Sequence, residues 1–264
     1  MRFSIITPTY NRSALLQRVF ESLCAQTFKD FEWIIIDDGS EPRASDVVEG
    51  WNAPFPIIYH WQPNSGTTRA LNRGFSMARG DFSTQLDDDD LFLPSALERF
   101  DYHWRTLPNP EKFACICCRC CSPDGKILGI PFPSEPLDTF GLRQILALAN
   151  ADCCGMIRTD ILKAFPFPEF RGERFLDPGV VWNRMNQRYW TRLFNEPVKM
   201  CFYVSGHSSS RDLRWSNPKG AVVYHTELAL SNAPIRMRAK SAINALRFLF
   251  VLGVKVATGN SKAN

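Results

Sequence analysis

The stretch that decides the fold is Phe82-Ser-Thr-Gln-Leu86-Asp87-Asp88-Asp89-Asp90-Leu91-Phe92-Leu93-Pro94. Phe82 to Leu86 reads as a short strand that runs straight into four carboxylates. Pro94 then starts a helix whose Leu97, Phe100 and Trp104 share one face. Adjacent aspartates repel one another, and a cation relieves that repulsion. Oxygen-rich sites of this kind suit hard cations such as Mg²⁺ and Mn²⁺. Asp87 and Asp89 are two apart, so on an extended strand end both carboxylates face one side. Taken alone, the run is equally a solvated acidic turn or an N-cap for the helix that follows.

Upstream, the same strand-then-polar-turn pattern repeats. Phe3 to Thr7 is an apolar run stopped by Pro8, followed by a helix with Leu15, Leu16, Val19, Phe20 and Leu23 at helical spacing. Trp33 to Ile36 is apolar throughout, as a strand buried on both faces is, and ends in Asp37-Asp38-Gly39-Ser40. Ala44 to Trp51 reads as a short helix, Ile57 to Trp61 as a strand and Thr67 to Arg79 as a helix closed by Gly80. This β-α-β-α-β-α-β order calls for a parallel α/β sheet with helices on its faces. Ligands of such sheets bind outside the carboxyl ends of the strands. Four polar turns fall there: Thr7-Pro8-Thr9-Tyr10, Asp37-Asp38, Asn64-Ser65-Gly66 and Asp87 to Asp90.

Each turn has a bland reading and a chemical one. Asp37 and Asp38 can accept hydrogen bonds from a base or from ribose hydroxyls, but Asp-Gly is also an ordinary turn pair. Tyr10 can stack on a nucleobase and Thr9 can donate to its carbonyl. Gly66 lets backbone approach a ligand, Arg69 can meet a phosphate, and Asn72 lies one turn further on.

Together the four turns resemble the family-2 glycosyltransferases. The resemblance rests on Ile6-Thr-Pro-Thr-Tyr-Asn11, Ile34-Ile-Ile-Asp-Asp-Gly-Ser40, Asn64-x-Gly66 with Asn72 and Gly74, and Leu86-Asp-Asp-Asp-Asp90. It implies the GT-A fold, a mainly parallel central sheet flanked by helices, and an inverting transfer from a nucleotide-diphosphate sugar (UDP-, GDP- or dTDP-linked) to a saccharide acceptor. It also implies Mn²⁺ or Mg²⁺, which would offset the charge that builds on a departing diphosphate. Pro8, Thr9, Tyr10, Asp37, Asp38, Gly66, Arg69, Asn72, Asp87 and Asp88 would line the donor. Asp87 and Asp89 would form the aspartate–x–aspartate pair that holds the metal, with Asp88 between them. Phe170-Arg-Gly-Glu-Arg-Phe175, Val181-Trp-Asn-Arg184, Asn195-Glu-Pro197 and Asn217-Pro-Lys-Gly220 look like a bacterial, polysaccharide-type subgroup. By that likeness the base that takes the acceptor proton is Glu173, with Asp177 as the second candidate. Glu173 can instead merely pair with Arg171 or Arg174.

The expected organisation is a GT-A domain over 1–215, with a nucleotide-sugar half (1–106) and an acceptor half (107–215), then a helical extension over 216–264. In the second half, Lys112 to Cys121 and Ile127 to Ile130 read as a hairpin, Phe140 to Ala149 as a helix, Val180 to Arg188 as a helix and Tyr189 to Tyr203 as strand. The net charge of +4 argues against a nucleic-acid partner. Nine cysteines without two separated C-x₂-C pairs read as reduced, buried thiols rather than as a zinc site. His207 reads as a loop residue or a further metal ligand. Ile235 to Val256 is basic and apolar, so it either lies on a membrane surface or packs against protein. With no leader evident and no stretch of about 18 uncharged apolar residues to span a bilayer, the expected place is the cytoplasm, free or peripheral at the inner face of the membrane. A nucleotidyltransferase would pair nucleotide and metal in a similar way, but it would carry a glycine-rich loop after the first strand. A nucleotide-sugar-binding module without turnover also fits.

Overall fold

The computed structural model describes residues 1–141, 151–202 and 210–259. The expected helix over Phe140 to Ala149 and the reading of His207 fall almost wholly, or wholly, outside these residues. The chain divides into two compact units: residues 1–166 with 184–203, and residues 167–183 with 204–264. The helices beyond Ser216 therefore share a unit with Glu173 and Asp177.

The first unit is built on one nine-stranded sheet, in the order β3-β2-β1-β4-β8-β6-β9-β5, with β7 against β9. Its strands are β1 (Phe3–Thr9), β2 (Phe31–Asp37), β3 (Ile57–Trp61), β4 (Phe82–Gln85), β5 (Leu91–Phe92), β6 (Phe113–Cys121), β7 (Leu137–Thr139), β8 (Cys153–Arg158) and β9 (Trp190–Met200). The run from β3 to β4 is parallel, as the strand–helix alternation requires. Beyond β4 the pairing is mixed: β8 is antiparallel to β4 and β6, β9 is parallel to β6, and β5 and β7 are antiparallel to β9.

The helices α1 (Ser13–Cys24), α2 (Ser45–Val48), α3 (Thr67–Met77), α4 (Ala96–Thr106) and α5 (Thr159–Ala164) flank this sheet. α1 buries Leu16, Val19 and Leu23, a heptad-like spacing that puts all three on one stripe. Each such side chain contributes about 1.5–3 kcal/mol on full burial. Every residue of β2 is buried, which is why Trp33 to Ile36 reads as an unbroken apolar run; the buried carboxylates Glu32 and Asp37 beside it are hydrogen-bonded. Gly74 is explained by packing: a Cβ there would lie 2.4 Å from Cγ2 of Ile6, so α3 can rest on β1 only with glycine at this position.

The expected hairpin is realised only in part. β6 forms, but Ile127 to Ile130 makes isolated bridges, Cys121 to Ile127 and Gly129 to Ala151. Arg119, fully buried, takes the carbonyls that a ladder would have used. Its Nη1 donates to Ile130 O at 2.7 Å and its Nη2 to Leu128 O. All nine cysteines are unbridged, and burial pushes Cys118 well above the ordinary thiol value.

The second unit contains α6 (Gly179–Asn186, its end counted with the first unit), α7 (Ser210–Ser216), α8 (Pro218–Leu230) and α9 (Ile235–Gly259). No described helix is long and apolar enough to cross a membrane.

Candidate active site

The chain leaves β1, pairs β2 and β3 on one side, then returns to place β4 on the other. The carboxyl ends of β1 and β4 therefore flank a topological switch point, where an open parallel sheet has its natural crevice. Thr9 closes β1 and the aspartate run follows β4. The two meet there: Thr9 Oγ1 donates to Asp88 Oδ2 at 2.8 Å.

The aspartates do not continue the strand. β4 stops at Gln85, and the amide of Asp90 donates to Asp87 O at 3.2 Å, which closes a turn. The alternation expected of an extended end does not apply, and the turn sends its members in different directions. Asp88 points inward and is 1% exposed. Arg12 covers it, with Nη2 on Asp88 Oδ1, Nε 3.1 Å from Asp88 Oδ2 and Nη1 3.1 Å from Asp89 Oδ2. Burial raises the Asp88 carboxyl to about 6, against the opposing pull of Arg12 and Thr9. Asp87 accepts from Nε2 of Gln85 at 2.5 Å. Asp90 is gripped by Nζ of Lys199, from β9, at 2.5 Å. Burial would lower the Lys199 pKa, but Asp87 and Asp90 outweigh it and hold the ammonium well above its ordinary value.

The second polar turn is a hydrogen-bonded frame. Asp37 is fully buried and accepts from the amides of Ser40 (2.8 Å) and Ala44 (2.9 Å) and from the hydroxyl of Tyr59 (2.7 Å). Burial opposes ionisation, yet these donors prevail and hold its carboxyl below the ordinary range. Asp38 faces the loop after β3. Its Oδ1 accepts from Gln62 Nε2 (2.7 Å) and from the amide (3.0 Å) and hydroxyl (3.1 Å) of Ser65, and its Oδ2 accepts from the amide of Gly66 (2.7 Å). Gly66 has φ +95°, a conformation that side chains resist, and precedes the first turn of α3. Arg69 donates to Ser65 O at 2.9 Å from that turn, and Asn72 lies one turn beyond. Tyr10 is 48% exposed just past β1, and Pro8 is half-buried in register with Ile36.

Two buried polar atoms on this rim lack a hydrogen-bond partner: Trp61 Nε1 and Asn64 Oδ1. Trp61 ends β3 and Asn64 adjoins Ser65, a partner of Asp38, and an orphaned donor and acceptor of this kind can be satisfied by a polar ligand. The oxygen donors Asp87 and Asp89 fit a hard divalent cation by their chemistry. Among the described residues, a cluster of potential metal ligands lies elsewhere, at His103, Cys118 and Glu196. There Glu196 already accepts from His103 and, at 2.9 Å, from Arg99, so the cluster reads as a latch between α4 and β9.

The candidate bases belong to the second unit. Glu173 accepts from the amides of Lys219 (2.6 Å) and Gly220 (2.8 Å), at the start of α8. Asn217 answers in the other direction, its Oδ1 accepting from the amides of Arg174 (2.8 Å) and Phe175 (3.2 Å). The motifs over 170–175 and 217–220 are thus two halves of one capping arrangement. Asp177 caps Gly179 at 2.9 Å and pairs with Arg214, whose Nε lies 2.9 Å away. Sequence reading missed Arg12, Gln62 and Lys199. Arg12 had a signal, since a basic residue directly after the first polar turn is a natural counter-ion for four acids after the fourth strand. Lys199 had none.

The family model for glycosyl transferase family 2 matches residues 4–163. A Campylobacter jejuni protein named GalNAc(5)-diNAcBac-PP-undecaprenol beta-1,3-glucosyltransferase is 36% identical over 99 residues, 36% of this chain and 32% of that protein. The putative colanic acid glycosyl transferase WcaA of Escherichia coli is 34% identical over 106 residues, 39% of this chain and 38% of WcaA. The match thus spans well under half the length of these relatives. Among solved structures, Staphylococcus aureus TarS with UDP-GlcNAc superimposes with a TM-score of 0.68 at 20% identity, covering 94% of this chain and 72% of that one. A mannosyltransferase of Pyrobaculum calidifontis in complex with GDP-Man and Mn²⁺ gives 0.59 at 16% identity, covering 100% and 76%. With the strand order, the switch-point crevice and the family match in agreement, the chain belongs to glycosyl transferase family 2 and has its GT-A fold.

Proposed function

We propose that the protein is an inverting glycosyltransferase that moves a sugar from a nucleoside-diphosphate donor to a saccharide of a cell-surface polymer. The observation that carries this reading is the meeting of Thr9, Arg12 and Asp88 at the β1/β4 switch point, with Asp87 and Asp89 on the same turn. The nucleoside lies along the rim made by Pro8, Thr9, Tyr10, Asp38 and Gly66, where Trp61 Nε1 and Asn64 Oδ1 supply an unmet donor and acceptor. Asp37 acts one layer below, holding the Ser40–Ala44 turn that shapes that rim. Arg69 and Asn72 face the donor from α3. Asp87 and Asp89 would hold Mn²⁺ or Mg²⁺, which when bound offsets charge on the diphosphate oxygens. The names of the relatives and the ligands of the structural neighbours support the choice of donor and acceptor class.

In the reaction, the acceptor hydroxyl oxygen bonds to the anomeric carbon as the bond from that carbon to the diphosphate oxygen breaks. The electron pair leaves with the nucleoside diphosphate, and the acceptor proton passes to a carboxylate. Glu173 is assigned that role, with Asp177 as the second candidate. The two amide bonds at the start of α8 fix the orientation of the Glu173 carboxylate. The C-terminal helix α9 gives the protein peripheral contact with the inner face of a membrane.

The test is a thermal-shift screen of UDP-, GDP- and dTDP-sugars with and without Mn²⁺. A bound donor at one hundred times its dissociation constant adds about 2.7 kcal/mol of stability. Failure of every donor to stabilise the protein would sink the reading. Donor binding without turnover in the unsubstituted protein would favour a binding module.

A further inference from the structure

Sequence alone leaves α9 undecided between packing and a membrane surface, and the structure shows which side of the helix is used for packing. Ser241, Ala245 and Phe248 recur at i, i+4 and i+7 and are 4%, 7% and 5% exposed. Phe248 stacks on His225 of α8, at 5.6 Å between centroids and 11° between planes, and lies 4.7 Å from the ring of Trp215. The packed face is thus largely small side chains around one aromatic. The opposite face is the more apolar of the two, and it faces solvent. Ile235, Ile243, Leu246 and Phe250 are 73%, 53%, 67% and 74% exposed, at i, i+8, i+11 and i+15 of one stripe. Around Phe250 lies a shallow depression of about 550 Å³ lined by Trp215, Ile243, Leu246, Arg247, Phe250 and Val251.

A soluble surface rarely leaves so many large apolar side chains together without a partner. Charge says what the partner is. Arg236, Lys240 and Arg247 recur at i, i+4 and i+11, along one flank of the apolar stripe. Arg238 lies near its other edge, and no acidic residue occurs between Ser231 and Asn264. Basic flanks around a broad apolar face are the arrangement of a helix lying in the plane of an anionic bilayer surface. The apolar stripe sits at the acyl boundary and the cations at the headgroups. A partner protein with an apolar groove would require no such uniform charge.

We infer that the outward face of α9 is a docking device for an anionic lipid surface, with Ile243, Leu246 and Phe250 as the inserted side chains and Arg236, Lys240 and Arg247 as the headgroup contacts. This deepens the membrane contact proposed above and does not depend on the transfer chemistry. The test is co-sedimentation of the full chain with phosphatidylcholine vesicles containing 30% phosphatidylglycerol and with pure phosphatidylcholine vesicles. Binding is expected to the anionic vesicles at 50 mM NaCl, falling about fivefold or more at 500 mM as the charges are screened. Leu246→Glu with Phe250→Glu is expected to lower it at least about tenfold, since two inserted apolar groups are lost. Far-ultraviolet circular dichroism, and the thermal shift produced by UDP with Mn²⁺, are measured on the same sample. Their retention shows that the fold and the donor site are intact, so a failure of docking is not confused with a failure of the transferase reading. The inference is overturned if the unsubstituted protein ignores anionic vesicles, or if the double variant binds them equally well. It is also overturned if light scattering shows a dimer that the double variant dissolves, since the face would then join two copies of the chain.

Discussion

Lys199→Met should be among the most damaging single changes in the first unit. The Lys199 ammonium and the Asp90 carboxylate lie 2.5 Å apart, with side chains only 11% and 9% exposed. Water therefore screens the pair little, and methionine keeps the volume while removing the charge. What remains is Asp90, buried, with the amide of Phe202 at 3.3 Å as its main backbone donor. Breaking a buried pair by removing one partner costs about 3–5 kcal/mol. The Phe202 and Cys201 contacts survive, so the lower end, about 3 kcal/mol, is expected. For a unit of this size that is roughly 6–12 °C in Tm. Urea denaturation in EDTA measures it. Adding Asp90→Asn to Lys199→Met should recover most of the loss, because removing both charges leaves neither stranded. Mn²⁺ should restore part of the stability of the single variant, because a cation on Asp87 replaces positive charge that Lys199 supplied. The reasoning fails if Lys199→Met unfolds within 1 kcal/mol of the parent, or if the double variant is no more stable than the single one.

Other consequences can be measured alongside. Replacing Asp87 and Asp89 together with alanine should abolish the stabilisation by Mn²⁺ seen in differential scanning fluorimetry and cut turnover by about a hundredfold or more. Turnover unchanged in that variant would remove the proposed metal role. Glu173→Gln should lower kcat by about 10²–10⁴-fold while donor binding persists. It should also cost about 1 kcal/mol of stability through the weakened cap of α8, read by urea midpoint. Asp37 is held below the ordinary carboxylate range, so between its native and unfolded values the unfolded chain binds more protons. Its contribution is therefore complete above pH of about 4 and lost as pH falls through the native value. Asp37→Asn should flatten the acid limb of a plot of urea midpoint against pH, and an unchanged acid limb would assign that limb to other carboxylates.

The first half of the fold was legible because its signals are local. A strand such as β2, with Trp33 to Ile36 apolar at every position, and a helix such as α1, apolar at 3.6-residue spacing, announce themselves over a dozen residues. Polar turns at strand ends mark the rim directly. What was hidden depends on distant partners. β5 has two residues, too few for any period, and exists because β9 offers it an edge. Residues 127–130 carry a strand's composition, yet Arg119 claims two of their carbonyls. Lys199 looks like any polar residue on a strand, and only the return of β9 beside β5 gives it Asp90. The aspartate run showed its composition but not its shape, because a turn and an extended end are indistinguishable in four identical residues. Glu173 was singled out by family likeness, while its bonds to the start of α8 could not be foreseen without the pairing of 170–175 with 217–220.

The grip of Asp38 on Gln62, Ser65 and Gly66 has a consequence for anyone who would change donor preference by exchanging loops. The segment after β2 and the segment after β3 are one piece of hardware, though some two dozen residues separate them. A chimaera that imports either segment alone would bring a carboxylate to a wall without its amides, or amides without their carboxylate, and stranding such a group costs about 1–3 kcal/mol. Residues 37–44 and 62–66 should be transplanted together.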